Sequence, residues 1–174
     1  VAAEFINGRP NDNIGITLFA GETFTQCPLT VDHAVLLDMI HNIKCGLITD
    51  GTAVGMGIAN AVTRLKDSKA KSKVIILLTD GTNNKGDISP MTAAEIAKSF
   101  GIRVYTIGVG TNGMAPYPYP VGNTVQYVSM PVEIDEKTLT EIAGTTDGNY
   151  FRATSNSKLK EVYEEIDKLE KTKL

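Results

Sequence analysis

The tetrapeptide Thr-Asp-Gly-Thr occurs twice, at residues 49–52 and at residues 79–82, and each copy contains one side chain that we single out as suited to a divalent cation. In the first copy the useful group is the hydroxyl of Thr52, and in the second it is the carboxylate of Asp80. Both are hard oxygen ligands, and they suit Mg²⁺, which keeps several waters and needs few protein groups. The pair therefore predicts part of a magnesium site, which other oxygen donors must complete.

Each of these residues also has a purely structural interpretation. Thr52 stands at the start of a predicted helix, where a threonine hydroxyl commonly accepts a backbone N–H as an N-cap. Asp80 belongs to an Asp-Gly pair, which is a common turn dipeptide. Both alternatives stay open on these residues alone. We expect Asp50 and Thr82, the equivalent positions in the opposite copies, not to be direct ligands.

The elements around the two copies differ, so the copies are not a sequence repeat. Asp80 directly follows a continuous apolar run, Lys73–Thr79, which is typical of a parallel strand buried on both faces. Thr52 instead opens a helix predicted over residues 53–65, whose apolar residues recur at helical spacing. Ligands of open α/β sheets bind outside the carboxyl ends of the strands, where Asp80 lies. We therefore interpret the two copies as two different parts of one site.

Strand and helix signals alternate along the chain. Strands are predicted at residues 14–20, 23–29, 73–79, 102–109 and 150–153, and helices at about residues 30–43, 53–65, 89–100, 135–144 and 155–169. The predicted N-caps are Thr30, Ser89, Asp135 and either Ser155 or Asn156. Helical spacing predicts two apolar stripes, one of Val35, Leu36, Met39, Ile40 and Ile43 and the other of Ala93, Ile96, Ala97 and Phe100. This order predicts an α/β fold, a doubly wound and mainly parallel sheet with helices on both faces.

One segment breaks this alternation. Residues 110–131 hold four of the seven prolines, in the stretch Met-Ala-Pro-Tyr-Pro-Tyr-Pro and beyond it. We interpret residues 111–131 as an inserted loop with a hairpin at Gly122-Asn123, at the carboxyl end of a strand.

Composition and motifs exclude several classes of protein. A net charge of −3, a pI near 5.4 and the lack of a basic cluster argue against nucleic-acid binding. Gly108 to Gly113 fits G-x-G-x-x-G, but the proline-rich segment that follows excludes the helix that a nucleotide site requires. No P-loop, G-x-S-x-G motif or histidine placed beside a nucleophile occurs, so we expect no enzyme. Cys27 and Cys45 are predicted to be buried apolar residues, with a disulfide as the alternative.

Four segments carry a family resemblance: IGITLFAG, DGTAVGMGIANAVTRL, KVIILLTDGTNN and IRVYTIGVG. Their order resembles von Willebrand factor type A domains, and the longer stretches around them resemble the bacterial Bat proteins of an aerotolerance operon. The resemblance implies a metal-ion-dependent adhesion site built from a D-x-S-x-S motif, a threonine matched by Thr52 and an aspartate matched by Asp80. It also implies Mg²⁺, to which a protein partner offers a carboxylate, and binding without catalysis.

The chain departs from that family at its start. It lacks D-x-S-x-S and the first central strand, and Val1–Ile6 resembles the end of the helix that follows that strand. We expect the strands at residues 14–20 and 73–79 to flank a gap, which an upstream segment of a longer protein or another chain fills. The resemblance further implies a bacterial envelope protein, anchored in the inner membrane with this domain in the periplasm.

Two interaction hypotheses follow. In the first, the domain is a non-catalytic module that binds a partner through Mg²⁺, with contacts at Gly81, Thr82 and Asn83 and at the loop tyrosines Tyr117 and Tyr119. In the alternative, a scaffold of the same fold has an incomplete metal site and binds partners through the loop at residues 111–131, since tyrosine is favoured at interfaces. An α/β enzyme or nucleotide binder is the third hypothesis.

Overall fold

The computed structural model describes residues 2–19, 23–42, 53–79, 88–110, 113–132 and 134–172. The strands in this part of the chain are β1 (Ile14–Phe19), β2 (Thr23–Thr30), β3 (Lys73–Thr79), β4 (Ile102–Val109), β5 (Gly113–Val121), β6 (Thr124–Val132) and β7 (Tyr150–Ala153). The helices are α1 (Ala2–Asn7), α2 (His33–His41), α3 (Val54–Leu65), α4 (Pro90–Ser99), α5 (Glu136–Thr145) and α6 (Asn156–Thr172).

A three-stranded parallel sheet, in the order β3-β4-β7, forms the centre of the domain. β3 pairs with β4 along its whole length, from Lys73 opposite Ile102 to Thr79 opposite Gly108. Alternate residues of these strands enter two separate cores, one shared with α3, α4 and α5 and the other with α6. Helices on both faces explain why β3 is apolar throughout. The predicted α/β fold is confirmed.

A second sheet, the antiparallel pair β1 and β2, lies beside the first without joining it. Phe19 of β1 packs against Gly57 of α3, and it borders the core that contains Ile75 and Leu77 of β3. Both strands therefore pack on α3, yet within the described residues β1 pairs only with β2, and β3 pairs only with β4. The edge of β3 that faces away from β4 has no strand partner among these elements, as expected from the sequence.

The helix predicted to begin at Thr30 begins later. Thr30 is the last residue of β2, and its Oγ1 accepts the N–H of Asp32 at 3.0 Å, a local turn that delays the helix. The N-cap of α2 is Asp32, without a side-chain capping bond. Val35 is 40% exposed and Leu36 is fully buried, so the predicted buried face is wrong at Val35.

The other three predicted caps are confirmed. Ser89 Oγ accepts the N–H of Thr92, and Asp135 Oδ1 accepts the N–H of Thr138, each at 3.2 Å. Ser155 Oγ accepts the N–H of Lys158 at 3.2 Å, which selects Ser155 over Asn156 as the cap of α6.

The buried face of α4 is only partly the predicted one. Ala93 and Ala97 are fully buried, as predicted, and so is Ala94, whereas Ile96 and Phe100 are 36% and 46% exposed. Small side chains let α4 approach its neighbours α3 and α5 closely. Close packing of backbones, and not side-chain volume, therefore decides which face is covered.

A buried ion pair fastens α6 across the sheet. Arg103 of β4 donates from Nη2 to Glu170 Oε2 at 2.6 Å, Tyr105 Oη donates to Oε1 at 2.6 Å, and Ser72 Oγ donates to Oε2 at 3.0 Å. Burial alone raises the pKa of Glu170, but the hydrogen bonds from Arg103, Tyr105 and Ser72 outweigh burial and hold this pKa below 4.5. The carboxylate is thus ionised and fully paired.

We predict that Glu170→Gln lowers the free energy of unfolding by about 3 kcal/mol, because it leaves the Arg103 guanidinium uncompensated. A depressed folded-state pKa means that this stabilisation is present above pH 4.5 and is lost as the pH falls below it. Urea unfolding at pH 7 and at pH 3.5 tests both statements. The control is Glu161→Gln in the exposed pair with Lys158, for which we expect a change below about 0.5 kcal/mol at pH 7. Equal effects of the two variants at pH 7 would contradict the prediction.

Candidate metal and partner site

The described residues that flank the predicted site residues lie at the carboxyl edge of the parallel sheet. β3 ends there at Thr79, whose side chain is buried, and Asp80 is the next residue. α3 begins after Ala53, which is fully buried, and Thr52 is the residue before it. The two tetrapeptides are therefore attached to two fixed and buried anchor residues.

The predicted ligands themselves lie outside the described residues. This holds for Thr52 and Asp80, and also for the predicted partner contacts Gly81, Thr82 and Asn83. Tyr117 and Tyr119 lie on β5, opposite Val128 and Gln126 of β6. The structure therefore brings the two tyrosines onto one strand, and for the metal ligands it describes only the flanking chain.

A tight backbone contact joins the start of α3 to the chain just before α4. A Cβ atom built at Gly55, in the first turn of α3, would lie 2.1 Å from the carbonyl oxygen of Ile88. Gly55 stands three residues after Thr52, and Ile88 is the first described residue after the segment that begins with Asp80. The first turn of α3, which follows Thr52, is thus in van der Waals contact with Ile88, which follows the segment that begins with Asp80.

The N-cap of α3 is Ala53, which has no side-chain oxygen. Thr52 lies outside the described residues, so capping and metal binding both stay predictions for its hydroxyl.

A polar cluster at the same edge was not predicted from the sequence. Arg152 Nε donates to the carbonyl oxygen of Gly110 at 2.9 Å, and Arg152 Nη1 forms an ion pair with Glu136. Tyr150 Oη donates to Glu136 Oε1 at 3.1 Å, and burial, followed by this hydrogen bond, raises the Tyr150 pKa. Gly110 precedes β5 and Glu136 follows β6, so Arg152 holds both ends of that hairpin. The only sequence signal is an arginine inside a short strand.

The hairpin itself occupies residues 113–132. Gly122 has φ +61° and follows Val121, which pairs with Thr124, so Gly122 and Asn123 form a two-residue turn with glycine at its first position, as in a type II′ turn. The residue pattern G-x-G-x-x-G at Gly108 to Gly113 therefore leads into a strand. A dinucleotide site requires a helix at this point.

The part of the chain that is described contains neither a cluster of metal-binding side chains nor a helix that could cross a membrane. No group of three or more His, Cys, Asp and Glu side chains there is arranged to hold a metal ion. None of the helices described has the length and apolar character needed to cross a membrane. Cys27 is buried with a free thiol, as predicted, whereas Cys45 lies outside the described residues.

Comparison with known proteins agrees with this architecture. The family model described as von Willebrand factor type A domain matches residues 1–165. The chain belongs to this family. A type A domain of this kind is an interaction module built on the α/β fold described above.

Two solved structures show a more specific likeness within this family. BatB from Bacteroides thetaiotaomicron is 32% identical, with a TM-score of 0.80 over 98% of this chain and 85% of that one. An aerotolerance-related membrane protein from Bacteroides fragilis is 29% identical, with the same TM-score over 95% of this chain and 82% of that one. The type A domain described here therefore resembles the Bat proteins, as predicted.

A third solved structure holds a metal. Proximal thread matrix protein 1 from the mussel byssus, with a zinc-occupied MIDAS motif, is 25% identical with a TM-score of 0.73, over 97% of this chain and 38% of that one. The chain spans about half the length of the curated relatives it matches.

We predict that Gly55→Ala lowers the free energy of unfolding by at least about 2 kcal/mol, because the added methyl group meets a backbone carbonyl that cannot turn away. Gly144→Ala is the control, since a Cβ at this helical position meets nothing within 4 Å. This control should raise stability by about 0.5–1 kcal/mol. Thermal and urea unfolding measure both variants, and a neutral Gly55→Ala would show that α3 and the chain at Ile88 are not in contact.

Proposed function

We propose that this type A domain is a non-catalytic module that binds a protein partner through Mg²⁺ at the carboxyl edge of its sheet. Thr52 and Asp80 are the ligands that this chain supplies. The observation that carries the proposal is the contact between Gly55 and Ile88, because it joins the chain that follows Thr52 to the chain that follows the segment of Asp80.

The ligand chemistry fits the ion. A threonine hydroxyl and an aspartate carboxylate leave most positions around Mg²⁺ for water and for other oxygen donors. The mussel protein with a zinc-occupied MIDAS motif supports a metal on a domain of similar fold. When bound, the cation would accept a carboxylate oxygen from the partner. The domain's own part is to hold the two ligand segments together through buried anchors.

The remaining donors are proposed to come from a D-x-S-x-S segment on an additional strand. Among the described strands β1 pairs with β2 and β3 with β4, and both β1 and β3 lie against α3, so an additional strand could be placed between them. A strand that runs parallel to β3 ends at the same carboxyl edge as Thr79. Its following loop then places the aspartate and serines beside Asp80.

The partner surface and the location complete the proposal. Contacts with the partner involve Gly81, Thr82 and Asn83 beside the ion, and Tyr117 and Tyr119 on β5. The name of the Bacteroides fragilis neighbour describes a membrane protein. We propose that the whole protein is anchored in the inner membrane of a bacterium and holds this domain in the periplasm.

The two identical tetrapeptides provide a matched test. In a longer form of the protein that carries D-x-S-x-S, we predict that Asp80→Ala abolishes Mg²⁺ binding measured by titration calorimetry. Asp50→Ala removes the same side chain from the same four-residue context and should leave the affinity within about twofold, which is less than 0.5 kcal/mol. Thr52→Val and Thr82→Val form a second such pair. Equal losses in both members of a pair would refute the assignment of ligands.

The alternative is a scaffold that binds its partner through residues 111–131 without metal. It is supported by the exposed apolar tip of the hairpin, where Val121, Val125 and Tyr127 are 43%, 59% and 72% exposed. Chelation of metal ions with EDTA distinguishes this scaffold from the metal-dependent module. Partner capture that persists in EDTA but is lost when residues 113–132 are replaced by a short Gly-Ser linker would favour the scaffold.

A further inference from the structure

The two outer edges of the β5–β6 hairpin differ in their chemistry. Pro116, Pro118 and Pro120 of β5 stand opposite Ser129, Tyr127 and Val125 of β6. Proline has no N–H, so these cross-strand pairs cannot be the hydrogen-bonded ones of the antiparallel ladder. The pairing of Val121 with Thr124 at a two-residue turn gives the same register, because the pair that closes such a turn is hydrogen-bonded.

In the non-hydrogen-bonded pairs of an antiparallel ladder, each residue directs its N–H and C=O away from the partner strand. The outer edge of β5 therefore has no amide donor at any of its three prolines, which blocks the addition of a strand. The outer edge of β6 has the opposite property. Val125, Tyr127 and Ser129 each direct one N–H and one C=O outward, and within the described structure β6 pairs with no strand except β5.

From Val125 to Ser129 the open edge also lacks the features that normally prevent association, and Pro131, the next outward position of β6, lies beyond this stretch. Residues 113–132 contain no charged side chain, although charged residues make up 21% of the chain. Natural edge strands are commonly protected by a charge, a proline or a covering element. Val125 and Tyr127 are more than half exposed, so no described element covers this part of β6.

We propose that the open edge of β6 pairs with β6 of a second copy of this chain, in an antiparallel dimer whose two-fold axis passes beside Tyr127. In this register Tyr127 lies opposite its own copy, and Val125 lies opposite Ser129 of the second copy. Every outward N–H at these three positions then meets an outward C=O, and no like charges meet. The surface is complementary to itself, as a two-fold interface must be.

The prolines of β5 explain why such an assembly stops at two copies. Pairing through β6 produces a four-stranded sheet in the order β5-β6-β6-β5, and both of its outer edges are the proline-blocked edges. No amide donors remain at these positions for a third copy. This dimer does not depend on the metal site, and it would present two carboxyl edges to a partner at once.

The first test removes the central donor. Sedimentation velocity of the purified protein over a range of concentrations should show a reversible dimer. Tyr127→Pro should weaken it at least about a hundredfold, because the two-fold axis removes two inter-copy donors with one substitution. The lost N–H points away from β5, so circular dichroism should show an intact fold. Tyr127→Thr keeps the N–H and the tendency to form a strand, and should weaken the dimer by about tenfold or less.

The second test opens the blocked edge. Replacing Pro116, Pro118 and Pro120 together by valine restores three outward donors on β5 and should produce assemblies larger than the dimer. A wild-type protein that stays monomeric at high concentration would overturn the proposal, even if it captured some other partner. A dimer that Tyr127→Pro leaves unchanged would overturn it as well.

Discussion

The parallel pairing of β3 and β4, covered by helices on both faces, is the constraint on which the other features depend. Because both faces of β3 are covered, this strand is apolar from Val74 to Leu78, and its polar residues, Lys73 and Thr79, stand at its ends. Thr79 is the last residue of β3 and is buried, and Asp80 is the next residue along the chain. The same geometry starts α3 and α4 at this edge, where Gly55 meets Ile88. Thus one packing arrangement positions the flanks of both tetrapeptides.

Features encoded by short segments could be predicted from the sequence. The apolar run from Lys73 to Thr79 indicated a doubly covered strand because no other element of that length tolerates it. The caps at Ser89 and Asp135 were predictable because a capping side chain bonds to an amide only three residues away. The tetrapeptides were assigned to different roles from the elements that flank them, and the structure places a helix after the first copy and a strand before the second.

Features that depend on distant partners could not be predicted. The exposure of Ile96 and Phe100 follows from how closely α4 packs on its neighbours, and helical spacing does not encode that distance. Arg152 reaches Gly110 across 42 positions, and Arg103 reaches Glu170 across 67. Neither pair has a local signature. Thr52 and Asp80 were proposed as ligands from their chemical type, while the contact between Gly55 and Ile88 emerged only from the fold.

At one edge of its sheet the domain carries an uncharged hairpin held at its base by Arg152, and we propose a pair of oxygen ligands at the same edge. The central claim is that the two ligands bind one ion. Mn²⁺ takes the same oxygen ligands as Mg²⁺ and broadens the NMR signals of nearby amides. In a longer form that carries D-x-S-x-S, we predict that the amide signals of Ala53 and Thr79 broaden together at the lowest Mn²⁺ concentrations. Broadening of only one of them, or of neither while signals elsewhere broaden, would contradict a shared site.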